Sequence, residues 1–144
     1  MQYFERARME FHPENPEPYQ VILTDVGRTA YARYLRDLEY PRSLIYYTLQ
    51  GECVYFEVTS RNVCGVFLEY WRGNGLNFGD PGVSFRESLA LFGYPLSITD
   101  REDGTIVQYF ERAVFVLSPD GAVELRNVGV EYLEDANTQR QLWR

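Results

Sequence analysis

Side chains over Tyr3–Phe11, and again over Tyr109–Leu117, alternate in character, with the period of a strand that turns one face to a core. The face carrying Tyr3, Glu5, Ala7, Met9 and Phe11 has its counterpart in Tyr109, Glu111, Ala113, Phe115 and Leu117. It is the better core candidate, although it includes a Glu. Each run leads through turn residues into a second alternating run, Val21–Asp25 or Val123–Asn127, so each half reads as a β-hairpin. The second hairpin has the tip Ser118-Pro119-Asp120-Gly121, and the first a longer, Pro-punctuated tip from Pro13 to Pro18. Elsewhere the period changes to that of a helix. Arg28–Glu39 places Tyr31, Tyr34, Leu35 and Leu38 on one face, with Gly27 before it and Pro41 after it. A second helix starts at Gly65, presents Val66, Phe67, Tyr70 and Trp71 together, and stops at Gly73 and Gly75. Ser84 and Glu87 form a capping box for a short helix through Leu89, Leu91 and Phe92 that ends at Gly93. Ser43–Leu49 and Cys53–Val58 read as strands around Gln50-Gly51-Glu52, Ser60–Asn62 as a polar connection, and Asp100–Gly104 as an exposed acidic turn. The expected fold is α+β: β-hairpins from two degenerate repeats with short packed helices.

The two halves share more than a pattern. Gln2–Gly27 aligns with Gln108–Gly129, both opening on Q-Y-F-E-R-A. Pro13 matches Pro119, and Val21, Leu23, Val26 and Gly27 match Val123, Leu125, Val128 and Gly129. A packing requirement recurs in every repeat, whereas one active site rarely does. Glu5 and Glu111 are therefore expected to be structural, accepting hydrogen bonds from Arg, Tyr or backbone groups. The competing reading makes them the general acid and base of a hydrolase. In a regular strand neighbouring Glu and Arg project to opposite faces and do not pair within one copy, unless a bulge intervenes.

Composition narrows the function. At 144 residues the chain suits one domain spanning 1–144: a half-repeat hairpin (1–27), helix and strands (28–61), a complete repeat (62–129) and a C-terminal tail (130–144). The net charge is −7 and every basic residue is Arg. An acidic surface repels phosphate backbones, so nucleic acid is not an expected partner; the absence of Lys reads as genomic codon bias. No apolar run is long enough for a direct membrane span. Strand-like sequence follows Met1 at once, so the expectation is either a cytoplasmic protein or a leader cut off from or left out of this chain. Cys53 and Cys64 fit neither a C-x-x-C pair nor a zinc set. They close a small disulfide loop or are two buried thiols, and the polar loop between them favours the disulfide. No catalytic engine is expected: His12 is the single His, no nucleophile elbow occurs, Gly73–Gly79 lacks phosphate-loop spacing, and Asp100–Gly104 lacks EF-hand spacing. No metal and no cofactor is expected. Tyr70, Trp71, Tyr94, Tyr109 and Phe110 are candidate ligand-binding aromatics that could stack on sugar rings, against the alternative that they form core.

The order C-G-V-F-L-E-Y-W (Cys64–Trp71), L-A-L-F-G-Y-P-L-S (Leu89–Ser97), V-Q-Y-F-E-R-A-V-F (Val107–Phe115), S-P-D-G-A (Ser118–Ala122) resembles a tandem repeat of secreted and surface proteins of bacteria, and more distantly the LGFP repeats that accompany cell-wall enzymes. The resemblance is direct over Asn62–Gly129 and covers half a unit over Met1–Gly27. It transfers no catalytic residue. It implies a non-catalytic, extracellular or cell-surface binding or scaffolding module, with envelope glycan or a surface protein as partner; a cytoplasmic setting stays open. The alternative is a structural subunit of a surface assembly, including a homo-oligomer, because the first hairpin needs something to pack against.

Overall fold

The computed structural model describes residues 2–37, 49–102, 104–130 and 133. The first repeat supplies β1 (Gln2–Tyr3), β2 (Arg8–Phe11) and β3 (Val21–Leu23), a three-stranded sheet in that order, and leads into α1 (Val26–Asp37). A two-stranded sheet follows, β4 (Cys53–Phe56) with β5 (Arg61–Cys64), then α2 (Gly65–Gly73) and α3 (Phe85–Phe92). The second repeat completes a four-stranded sheet, β6 (Asp100–Glu102), β7 (Thr105–Tyr109), β8 (Val114–Leu117) and β9 (Val123–Leu125), in sequence order. All pairings are antiparallel. The fold is α+β, as the sequence pattern indicates.

The repeated hexapeptide differs from expectation. It is not one continuous strand but a tight reversal. Phe4 N–H donates to the Ala7 carbonyl at 2.7 Å, and Phe110 N–H to the Ala113 carbonyl at 2.8 Å. Tyr3 then faces Arg8 and Tyr109 faces Val114 across the ladder. The Glu-Arg pair sits at the tip in both copies, so each repeat is a three-strand meander rather than a two-strand hairpin. Reversal cancels the strand parity, and the expected single core face dissolves. Phe11 is 64% exposed, whereas Gln108, Phe110, Val114 and Phe115, from both nominal faces, are buried. Adjacency at a turn tip also lets Glu5 and Arg6 pair, at 3.2 Å, which a strand would forbid.

Three smaller corrections follow from packing. The expected polar connection at Ser60–Asn62 gives way to β5, which pairs with β4 so that Cys53 lies opposite Cys64 and Val63, fully buried, opposite Val54. The chain reverses at Ser60, whose φ is +55°. The acidic run is strand for Asp100–Glu102, and Gly104 (φ +81°) lies on the turn into β7. α1 begins at Val26, so Gly27 lies inside the helix rather than before it. The expected strand Ser43–Leu49 lies outside the described residues apart from Leu49. The capping box at Ser84 and Glu87 and the stop at Gly93 stand as expected.

Two apolar clusters hold these elements. In one, Phe115 of β8 is the hub, with ring centroids of Phe110, Phe92, Tyr70 and Phe67 at 4.2, 4.9, 5.2 and 5.7 Å, around α2, α3 and β4–β5. The other joins Val26 and Ala30 of α1 to Val107, Tyr109, Val114 and Val128. Val26 and Val128 are equivalent residues of the two repeats, and both are buried in this one cluster.

That pairing is part of a reciprocal clasp. A β-carbon on Gly27 would collide with the Phe110 carbonyl and fall 2.8 Å from Ala113 N and O. A β-carbon on Gly129 would collide with the Phe4 carbonyl and fall 2.8 and 2.9 Å from Ala7 O and N. Each repeat thus ends on a glycine pressed against the turn of the other. Arg28 N–H donates to Glu111 O at 3.0 Å, and Val130 N–H to Glu5 O at 3.2 Å. Arg112 Nε donates to Leu23 O at 3.1 Å, and Arg6 Nε to Leu125 O at 3.2 Å. Gly27→Ala and Gly129→Ala should each cost about 1–3 kcal/mol or more through overpacking. Gly73→Ala, where a β-carbon meets nothing within 4 Å, should be neutral or stabilising by up to about 1 kcal/mol. Urea denaturation of the three variants checks this.

Candidate functional site

The two identical turns have different surroundings, and the difference defines the candidate site. The Phe110–Ala113 turn is enclosed on two sides. Gly27 and Arg28 cover one side. On the other, the end of α3 and the Phe92-Gly93-Tyr94-Pro95 segment form a matched set of bonds. Arg112 N–H donates to Phe92 O at 2.9 Å and Glu111 N–H to Tyr94 O at 3.0 Å. Tyr94 N–H donates to Glu111 Oε1 at 2.8 Å, and Arg112 Nη1 to Leu89 O at 3.1 Å. Pro95 bridges to Phe110, and Leu96 N–H donates to Tyr109 O at 2.8 Å. Gly93 makes this approach with φ +77°; a β-carbon there would fall 2.6 Å from Glu111 Cβ. The F-G-Y-P and F-E-R-A motifs are thus two halves of one contact. Glu111 Oε2 accepts from Arg28 at 2.7 Å, so both its oxygens are engaged.

The Phe4–Ala7 turn has the Gly129 side filled and the opposite side open. Phe4 is 43% exposed, against 0% for Phe110. Among the described residues no acceptor meets the backbone N–H of Glu5 or Arg6, and Glu5 and Arg6 are both exposed. Beside the turn runs a groove of about 470 Å³ lined by Arg6, Glu102, Val107, Val116, Glu124, Leu125, Arg126 and neighbours. A second cavity, about 240 Å³, lies where Leu76, Phe78, Leu89 and Ala90 approach Ile22, Leu23 and Arg112. The repeat equivalents of Ile22, Leu23 and Arg112 are Glu124, Leu125 and Arg6, and all three line the larger groove. The groove is therefore the counterpart of the place that α3 covers.

No family model, curated protein or solved structure matches this chain. Function is accordingly read from the site itself. The five candidate aromatics are placed as follows. Trp71, Tyr109 and Phe110 are buried, Tyr70 and Tyr94 half-buried. Trp71 Nε1 donates to Gly93 O at 3.1 Å and its ring meets Phe56 and Phe85 at 5.2 and 5.3 Å. Tyr70, Trp71, Tyr94 and Phe110 come together in the α2–α3 cluster; Tyr109 belongs to the other cluster. Tyr109 packs against Tyr31 and Tyr34 at 5.1 and 5.4 Å, donates to Glu102 at 2.7 Å and accepts from Arg126 at 3.1 Å. Burial, then the Glu102 bond, pushes its phenol far above the usual range. The buried rings Trp71, Tyr109 and Phe110 leave no open face for a sugar, because packing has used them. Phe4 and Arg6 were not among the candidates, and Glu5 was weighed only as a hydrolase carboxylate; the signal for the turn was Q-Y-F-E-R-A written twice against F-G-Y-P written once.

Cys53 and Cys64, opposite each other across β4–β5, are joined as a disulfide. Among the described residues no group of three His, Cys, Asp or Glu is placed to hold a metal, and no helix is long and apolar enough to cross a membrane. His12 lies between Glu14 (2.7 Å) and Glu10 (3.1 Å), whose carboxylates raise its pKa, Glu14 foremost.

Glu87 anchors the loop before α3. Its carboxylate accepts from Ser84 N–H at 3.0 Å and Phe78 N–H at 2.6 Å, and these bonds hold its pKa below the usual value. Arg86, then Ser84, holds Asp80 at about 2. Both folded-state pKa values lie below the unfolded ones, so the contribution is full above the unfolded pKa and lost as pH falls through the folded value. Glu87→Gln should be less stable at neutral pH and show a flatter loss of stability as pH falls below the usual carboxylate range, measured by urea titration at each pH. Glu111→Ala strips Tyr94 N–H of its acceptor and should cost about 1–3 kcal/mol. The exposed Glu5→Ala should stay within about 0.5 kcal/mol, and thermal melts of the pair distinguish the two copies.

Proposed function

We propose that the protein is a non-catalytic binding or scaffolding module that acts outside the cell or at its surface and engages a protein. One observation carries the reading: two identical turns, one enclosed by a helix–Gly–Tyr–Pro segment and the other open beside a groove. An exposed aromatic next to unpaired backbone donors suits a polypeptide, which brings carbonyl oxygens and apolar side chains together. Envelope glycan is the less supported partner, since three of the five candidate aromatics are buried in the core. The Cys53–Cys64 disulfide supports an oxidising setting, and so does the resemblance to bacterial surface repeats. The repeated Glu serves packing in the second copy, where both Glu111 oxygens are bonded; this favours a binding role over a carboxylate hydrolase.

A second reading, a structural subunit of a surface assembly, is favoured by β1, which forms one edge of its sheet among the described residues and could extend it with another strand. Biotinylated protein incubated with solubilised envelope proteins, and separately sedimented with purified wall glycan, tests the proposal. A discrete protein should be retained and should be lost with Phe4→Asp at unchanged melting temperature. Sedimentation with glycan, unaltered by Phe4→Asp, would overturn the protein reading. Light scattering that shows a defined oligomer, dissociated by Phe4→Asp, would favour the assembly reading.

A further inference from the structure

We infer that the open face of the Phe4–Ala7 turn and the adjoining groove form a receptor for a partner's helix that ends in Gly-aromatic-Pro, the counterpart of α3 and Gly93–Pro95. The inference rests on the protein-binding reading and names what is bound. Its ground is the second copy, where the same turn has such a segment in place. There, the backbone N–H groups of Glu111 and Arg112 donate to carbonyls of the segment, Glu111 Oε1 accepts from it, and Arg112 Nη1 caps the helix end. The first copy presents the same residue types. Among the described residues Glu5 and Arg6 N–H meet no acceptor and the Glu5 carboxylate and Arg6 Nη1 pair with each other at 3.2 Å, while Arg6 Nε is held on Leu125 O as Arg112 Nε is on Leu23 O. That shared bond orients both guanidinium groups from behind and leaves Nη1 of Arg6 able to turn from Glu5 to a helix-end carbonyl.

The F-G-Y-P of residues 92–95 is committed to Glu111 and Arg112, so the occupant is a second segment of this kind, which the proposal assigns to a partner. One difference between the sites sets its chemistry. Where the occupied site has Ile22, the open groove has Glu124, with Glu102 and Arg126 alongside. The partner helix is therefore more polar on its groove face than α3, with a cation facing Glu124, and a segment identical to α3 is a usable but mismatched ligand.

The probe is a capped peptide of residues 84–97, titrated into the ¹⁵N-labelled protein. Saturable shifts of the Glu5 and Arg6 amides are expected, with a dissociation constant of about 1 mM or tighter. A peptide with Gly93→Ala should bind about tenfold more weakly, because its β-carbon meets the turn. In the protein, Glu124→Ile, which restores the character of Ile22, should tighten binding of the unaltered peptide about threefold or more. No saturable shift with either protein overturns the inference, and so do shifts confined to Glu111 and Arg112, which would mean exchange with the resident segment. Unchanged affinity in Glu124→Ile would overturn the placement in the groove. If the peptide fails while Phe4→Asp still abolishes retention of a protein partner, the binding reading stands and this assignment of its ligand falls.

Discussion

Everything in the fold answers to the contact between a trailing glycine and the other repeat's turn. Gly27 and Gly129 have backbone, not side chain, against them, so the contact cannot yield to a larger residue by a rotamer change. It fixes where α1 starts, since the first turn of the helix places the Arg28 N–H on the Glu111 carbonyl. It sets Val26 and Val128 in one cluster, and it brings the arginine of each turn within reach of the other repeat's last strand. The two repeats do not stack as in an open solenoid, where each unit meets a new neighbour. Each one completes the other.

Against this background the repeated letters acquire separate tasks. The Phe of the turn is an apolar plug, buried in the second copy and 43% exposed in the first. The Glu offers its N–H and one carboxylate oxygen to the segment that covers the tip, and its carbonyl to the other repeat. The Arg ties the tip to the partner repeat and reserves its remaining donors for the cover. In the second copy all of these are used; in the first, the ones facing the partner repeat are used and the rest face solvent. The asymmetry lies in the surroundings and not in the motif.

The sequence displayed the repeat, the capping box, the helix after Gly65, the Ser118–Gly121 turn and the cysteine pair, because each is a local pattern with a local physical cause. It hid the reversal inside Q-Y-F-E-R-A. That turn lacks Gly, Pro, Asn and Asp, the usual markers, and is held by contacts from residues far along the chain. β5 was hidden for a related reason: Arg61-Asn62 is polar at its start, and only pairing with Cys53–Phe56 makes it a strand. Of the aromatic candidates Trp71, Tyr109 and Phe110 lie in the core, and composition cannot distinguish a ring that stacks on a ligand from one that stacks on other rings. The open turn was legible only as arithmetic, two turns and one cover, because its surface is made by residues distant in the chain, Arg6 with Glu124 and Leu125.

The clasp has a consequence for the order in which the protein is made. Arg6 is held by Leu125, 119 positions later in the chain. At translation rates of about 5–20 residues per second, roughly 6 to 25 s pass between the emergence of these two partners. During that interval the first turn and its short strands lack the contacts that fix them. The earlier of the two repeats is secured only when the later one arrives, and folding has to wait for the far end of the second repeat.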